Sequence, residues 1–276
     1  MKILITCLAV FAIACGSKGS NNDGEDSDAN DGVGNGFDGG NKDAPFAGTC
    51  TPNASAPQCS NCMDDDGDGK IDGYDIQCTG PLDNNEASFS TGIPGDNIDA
   101  VDQDCFFDGD SGAGNDGCSI HVCCLLGAPT KAACPIGRNR YEPAECPPPI
   151  GTGTISQKCI DTCGKLAPPG CDCFGCCTIC DPANPTMCYD IATNPSTSPN
   201  CTSDTIADPT KCLRCTKVTG CGNECGGCIL CPGQTMLPPE CGGMNQCPEG
   251  QTPCGPDNAC GAGQYCSNGC CIGTIL

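Results

Sequence analysis

Thirty-four cysteines in 276 residues constrain this chain more than any other feature. Such a density points to an oxidising compartment, and it implies that cross-links stand where an apolar core would. Leu, Ile, Val and Phe together supply 40 of the 276 residues, under the fifth of the chain that a domain held by hydrophobic burial uses. Cys7 lies in an apolar leader and Cys15 directly follows it, so 32 cysteines remain from Cys50 onward. That even number permits sixteen disulfides, each worth about 2–4 kcal/mol when unstrained. The expected fold class is small and disulfide-rich, mostly irregular, with short β-hairpins, few helices and little hydrophobic core. Gly and Pro interrupt nearly every run, and no window sustains the period of an amphipathic helix.

Residues 1–14 read as a signal peptide: Lys2, an apolar run from Ile3 to Ala14, then the small-residue ending Ala12-Ile13-Ala14 before Cys15. The ending resembles the lipobox of bacterial lipoproteins, although Ala12 stands where Leu is commoner. That resemblance implies that Cys15 becomes the lipidated first residue of the mature chain. Residues 15–48 are rich in Gly, Asn and Asp and nearly free of apolar side chains, the composition of a hydrated, flexible tether. Three further parts follow from composition: an acidic module over 49–146, a cysteine-dense module over 147–240, and a knottin-like module over 241–276.

The charge is uneven. Residues 1–120 carry 22 acids against four bases, and the remainder 12 against eight. A net charge of −22 repels phosphate backbones, which argues against nucleic acid as a partner and for divalent cations.

Asp64-Asp65-Asp66-Gly67-Asp68-Gly69-Lys70-Ile71-Asp72-Gly73-Tyr74-Asp75 fits the DxDxDG calcium loop at its oxygen positions and its glycine. In that register Asp64, Asp66 and Asp68 offer carboxylates, Lys70 its carbonyl, Asp72 a direct or water-mediated oxygen, and Asp75 the last ligand. Asp75 replaces the longer Glu of the helix–loop–helix form, so bidentate coordination and high affinity are not assured; millimolar extracellular calcium tolerates that. The segment resembles the aspartate-rich loops of dockerins and thrombospondin type 3 repeats, with Cys62 and Cys78 flanking it. A second, less regular set of oxygens, Asp108, Asp110, Asn115 and Asp116, is a weaker calcium candidate, and a plain Asx-turn loop is its alternative; Asp83, Asn85 and Asp96 are further oxygen donors nearby.

Catalytic signatures fail on inspection. Gly109-Asp110-Ser111-Gly112 looks like the GDSG segment of chymotrypsin-like proteases, but the single histidine, His121, lies downstream rather than far upstream. Gly112 to Gly117 has the glycine spacing of a dinucleotide loop without the preceding strand, and its acids would repel a pyrophosphate. The absence of Trp leaves little aromatic surface for sugar rings. The expectation is therefore no enzyme, with a secreted hydrolase the weakest alternative. The CxxC pairs around Cys171 to Cys180 would suggest zinc or copper thiolate binding in a reducing compartment, and a metal scavenger is the main alternative reading.

Taken together, the lipobox, the tether and the segments CSNCMDDDGDGKIDGYDIQC, DCFFDGDSGAGNDGC, PPGCDCFGCC and CGGCILCPGQ resemble the cysteine-rich lipoproteins of myxobacteria and their relatives. The resemblance implies a cell-envelope address, outer-membrane-anchored and periplasmic or surface-exposed, and no activity. The overall expectation is a lipid-anchored, calcium-binding envelope protein with a structural or interaction role, held to the membrane by its anchor and facing an envelope or extracellular protein partner.

Overall fold

The computed structural model describes residues 50–93, 101–110, 116–194, 198–243, 245–255 and 258–274. Residues 1–49, with the expected signal peptide, the expected tether and Cys15, lie outside the described residues, as do Asp96, Ser111 and Asn115. The described residues belong to one compact unit.

All 32 cysteines from Cys50 to Cys271 close into sixteen disulfides. The expected class is thereby observed: few helices, short antiparallel strand pairs, and mostly irregular backbone. No CxxC closes on itself. Cys59 joins Cys78 while Cys62 joins Cys50, and Cys212 joins Cys201 while Cys215 joins Cys176. The bridges also cross the compositional boundaries. Cys105–Cys163 and Cys118–Cys159 tie the acidic segment to the centre, and Cys228–Cys241 ties the centre to the start of the tail.

Three two-stranded antiparallel sheets are present among the described residues: β1 (Asp102–Gln103) with β2 (Ile120–His121), β3 (Cys176–Asp181) with β4 (Asn184–Ala192), and β5 (Gln264–Ser267) with β6 (Cys270–Gly273). In the longest pair, Cys180 faces Cys188 and the two are bridged. The helix α1 (Val122–Leu125) is one turn, and α2 (Gln157–Cys163) is two. Ser156 caps α2 by accepting the Cys159 N–H, one of the four donors that a helix start leaves unpaired. Cys159 and Cys163, four residues apart, share a face. Both are fully buried, and they pin α2 to Cys118 and Cys105.

Two clusters of buried side chains fill the interior. One is built largely of cystine sulfur with Ile120, Leu125, Tyr141 and Phe174; the other gathers Phe89, Phe106, Phe107, Ile179, Ile191 and Ile206. Gly175, at φ 83°, lies where an added Cβ would come within 2.5 Å of the Phe106 ring, so glycine is required there by backbone and packing together. At the centre, the fully buried Asp172 accepts from the N–H groups of Phe174, Cys176 and Val218 at 2.8–2.9 Å. Irregular backbone has no ladder of its own, and this carboxylate completes its hydrogen bonding.

If closing long loops is what stabilises this fold, the bridges should differ in worth. With the nested Cys118–Cys159 bridge still closed, replacing Cys105 and Cys163 together by Ala opens a loop of about 17 residues, against a separation of 6 for Cys225 and Cys231. The first pair should cost about 3 kcal/mol and the second about 2 kcal/mol. Urea unfolding followed by near-ultraviolet circular dichroism measures both; an equal or reversed ranking would contradict the loop-entropy account.

Candidate metal centre

The acidic loop is held from both ends by disulfides, Cys50–Cys62 before it and Cys59–Cys78 across its base. Gly69, the motif's required glycine, takes a φ of 89°, and Gly67 one of 82°, so the backbone turns sharply at both. The turns are closed by the aspartates themselves. Asp64 accepts from the N–H groups of Gly67 and Gly69 at 2.6 and 3.0 Å, Asp66 from Asp68 at 3.0 Å, and Asp68 from Lys70 at 2.7 Å. Asp64, Asp66 and Asp68 are exposed, whereas Asp72 and Asp75 are buried.

The two buried acids are used differently. Asp72 sits at φ 49° in the left-handed region, which Asp tolerates better than most residues. Both its carboxylate oxygens lie within 3.2 Å of the Cys62 nitrogen, so its side chain is engaged by the backbone at the loop's entry. Asp75, 2% exposed, accepts the Gln77 N–H through Oδ1 at 2.6 Å, and its Oδ2 is buried with no hydrogen-bond partner. A buried carboxylate oxygen without a donor is costly. Burial first, then the negative charges of Asp68, Asp66 and Glu86, push the Asp75 carboxyl up to about 8. Burial, with the charges of Asp68 and Asp64, also raises Asp66. Asp75 Oδ2 is thus a hard oxygen in a field of like charges, which a divalent cation would neutralise.

Glu86 was not expected. It is fully buried and accepts from the N–H of Asp65 at 2.6 Å and of Asp72 at 2.8 Å, clamping the loop's first and last turns with one carboxylate. Asp83, named only as an additional oxygen donor, is fully buried and spends its oxygens on Thr79, Asn85 and Gly92. Burial pushes both groups up to about 7. The only hint in the sequence is that Asp83 and Glu86 are acids just beyond Cys78; nothing in the loop's own spacing reaches 14 or 21 residues ahead.

The second acidic stretch is brought together in part. Asp108 and Asp116 have carboxylate oxygens within 4.8 Å of each other. Asp116, however, accepts from the Cys105 and Cys118 N–H groups, and Asp108 from the Asp110 N–H, the pattern of an Asx-turn loop. Asp110 is exposed, and Asn115 is among the residues not described. Burial, followed by the charges of Asp110, Asp104 and Asp116, pushes Asp108 up to about 7.

Clusters of Cys with His or Asp lose their ligands to disulfides. His121 lies with Cys123 and Cys134, and Asp72 with Cys50 and Cys62, but each of these cysteine pairs is itself a bridge. His121 is fixed by backbone on both sides: Nδ1 accepts the Cys123 N–H at 3.1 Å, which leaves Nε2 to donate to the Gly137 carbonyl at 3.3 Å. It lines a cavity of about 300 Å³ in which Arg140 pairs with Asp102, and Glu142 with Lys131, while Glu145 also lines it.

Carboxyls raised in the folded state make it hold more protons than the unfolded chain between about pH 4 and pH 8. Stability therefore falls as pH rises through that window, because ∂ΔG/∂pH follows the proton difference between unfolded and folded states. Thermal unfolding in the presence of a chelator should show a midpoint that drops between pH 5 and pH 8. Asp75→Asn should remove the part of the drop nearest pH 8, and a midpoint that rises with pH would contradict the geometry.

The chain matches no protein-family model, no curated protein and no solved structure.

Proposed function

We propose that this chain is an exported, lipid-anchored envelope protein whose acidic loop binds calcium, and whose role is structural or interactive rather than catalytic. The observation that carries the calcium reading is Asp75 Oδ2, buried without a hydrogen-bond partner in the same loop as the exposed carboxylates of Asp64, Asp66 and Asp68. An all-oxygen donor set suits calcium, which accepts irregular geometry, better than magnesium, which demands near-ideal octahedral geometry. The main-chain oxygen of Lys70 and a water beside Asp72 would complete the sphere in the loop's register. The cysteines favour a structural role over thiolate chemistry, since all 32 from Cys50 onward are spent on disulfides and a zinc or copper scavenger would need them reduced. The lipoprotein address rests on the leader and Cys15, with the likeness to the myxobacterial lipoproteins as its support.

Calorimetric titration of the oxidised protein should give saturable calcium binding at the acidic loop. The dissociation constant should fall at about 10⁻⁴–10⁻³ M, the range of extracellular modules, with magnesium much weaker. Asp75→Asn and Asp68→Ala should each weaken binding by about tenfold or more while leaving the disulfides intact. Absence of saturable binding in the unaltered protein would refute the calcium reading. For the anchor, Cys15→Ser should move the protein from the membrane fraction to the aqueous fraction of the producing cell; unchanged membrane association would count against lipidation at Cys15.

A further inference from the structure

The C-terminal segment carries its own cross-links. Its six cysteines pair only with one another, Cys247–Cys270, Cys254–Cys266 and Cys260–Cys271. The last bridge to the preceding chain is Cys228–Cys241, so beyond Cys241 the covalent connection is backbone alone. What holds residues 247–274 against the remainder is therefore non-covalent, and much of it falls on the acidic loop.

Two contacts define that seat. The Tyr265 hydroxyl donates to the Cys59 carbonyl at 2.9 Å, and Cys59 belongs to the bridge at the base of the loop. The Cys266 carbonyl lies directly on Gly73: a Cβ added there would stand 1.8 Å from that oxygen and 2.9 Å from Tyr265 Cζ. Gly73 is the middle residue of the 3-10 turn Asp72–Tyr74, and the turn is closed by the Asp75 N–H bonding to the Asp72 carbonyl at 2.9 Å. A farther contact, Gly273 N–H to the Lys165 carbonyl at 3.1 Å, steadies the other end of the hairpin.

The turn that seats the tail thus lies between two ligand positions of the calcium loop. A cation drawing in the Asp75 carboxylate would fix the turn's C-terminal side. Glu86 already holds its N-terminal side through the Asp72 N–H. Asp75 Oδ2 is buried with no hydrogen-bond partner, so that oxygen ties the turn's C-terminal side to nothing in the chain itself.

We propose that calcium in the acidic loop gates the docking of the C-terminal three-disulfide segment, with Gly73 and Tyr265 as the latch; this rests on the calcium reading above. Ligand occupancy and docking are linked, so each strengthens the other by the same factor. The released segment keeps its internal disulfides.

The test is hydrogen exchange on the full, oxidised chain, with calcium titration of the same samples. Saturating calcium should slow exchange at the amides of β5 and β6 by about tenfold relative to chelator. Tyr265→Phe, which removes only the bond to Cys59, should weaken calcium binding by about fivefold and shrink the protection by the same factor. Gly73→Ala should do so more strongly; Tyr265→Phe keeps the test valid if Gly73→Ala fails to fold. Calcium binding with unchanged tail exchange, and with wild-type affinity in Tyr265→Phe, would overturn the latch while leaving the calcium site intact. No calcium binding by the unaltered protein would overturn both.

Discussion

The disulfide network is the constraint on which everything else depends. With so few aliphatic and aromatic side chains, burial alone does not offset the entropy of ordering a chain of this length. Sixteen bridges act largely by restricting the unfolded ensemble, and most of their sulfurs are themselves buried. Cystine therefore serves as both staple and core, as in the cluster where Cys105, Cys163, Cys173 and Cys221 pack with Phe174. Regular secondary structure becomes optional under such a regime. The helices and strands that do form are short and sit where bridges hold them, α2 by two and the β5–β6 hairpin by three.

An irregular backbone leaves many buried N–H groups needing acceptors. In this protein, carboxylates fill that need. Asp172 takes three N–H groups, Asp83 takes three and a hydroxyl, and Glu86 and Asp116 take two each. Acid content thus has two origins that composition cannot separate. Most buried carboxylates are consumed by the fold, but Asp75 Oδ2 is buried with no hydrogen-bond partner. That oxygen, together with the regular DxDxDG register of residues 64–75, makes the loop a candidate for a cation.

The fold class was legible because cysteine count and glycine-proline density dictate it almost without regard to order. One turn of the loop was legible too, since Gly69, at φ 89°, falls where the motif requires a sharp turn. Pairing was not legible. The six tail cysteines alone permit fifteen connectivities, and the choice among them is a matter of three-dimensional approach. The roles of Glu86 and Tyr265 were hidden for the same reason: Glu86 reaches 21 residues back to Asp65, and Tyr265 reaches 206 back to Cys59. Asp72 illustrates the opposite risk. Its position suggested a ligand, yet its carboxylate is turned to the Cys62 N–H, a partner that the motif does not specify.

The central claim is that every cysteine from Cys50 onward is closed, and counting thiols by mass tests it most directly. The purified protein would be alkylated under denaturing conditions without reduction, digested, and compared with a reduced and alkylated sample. The account predicts no label at any of the 32 positions before reduction and label at all of them afterwards. Several labelled cysteines before reduction, above all in the Cys171 to Cys180 segment, would contradict it and return thiolate metal binding to the foreground.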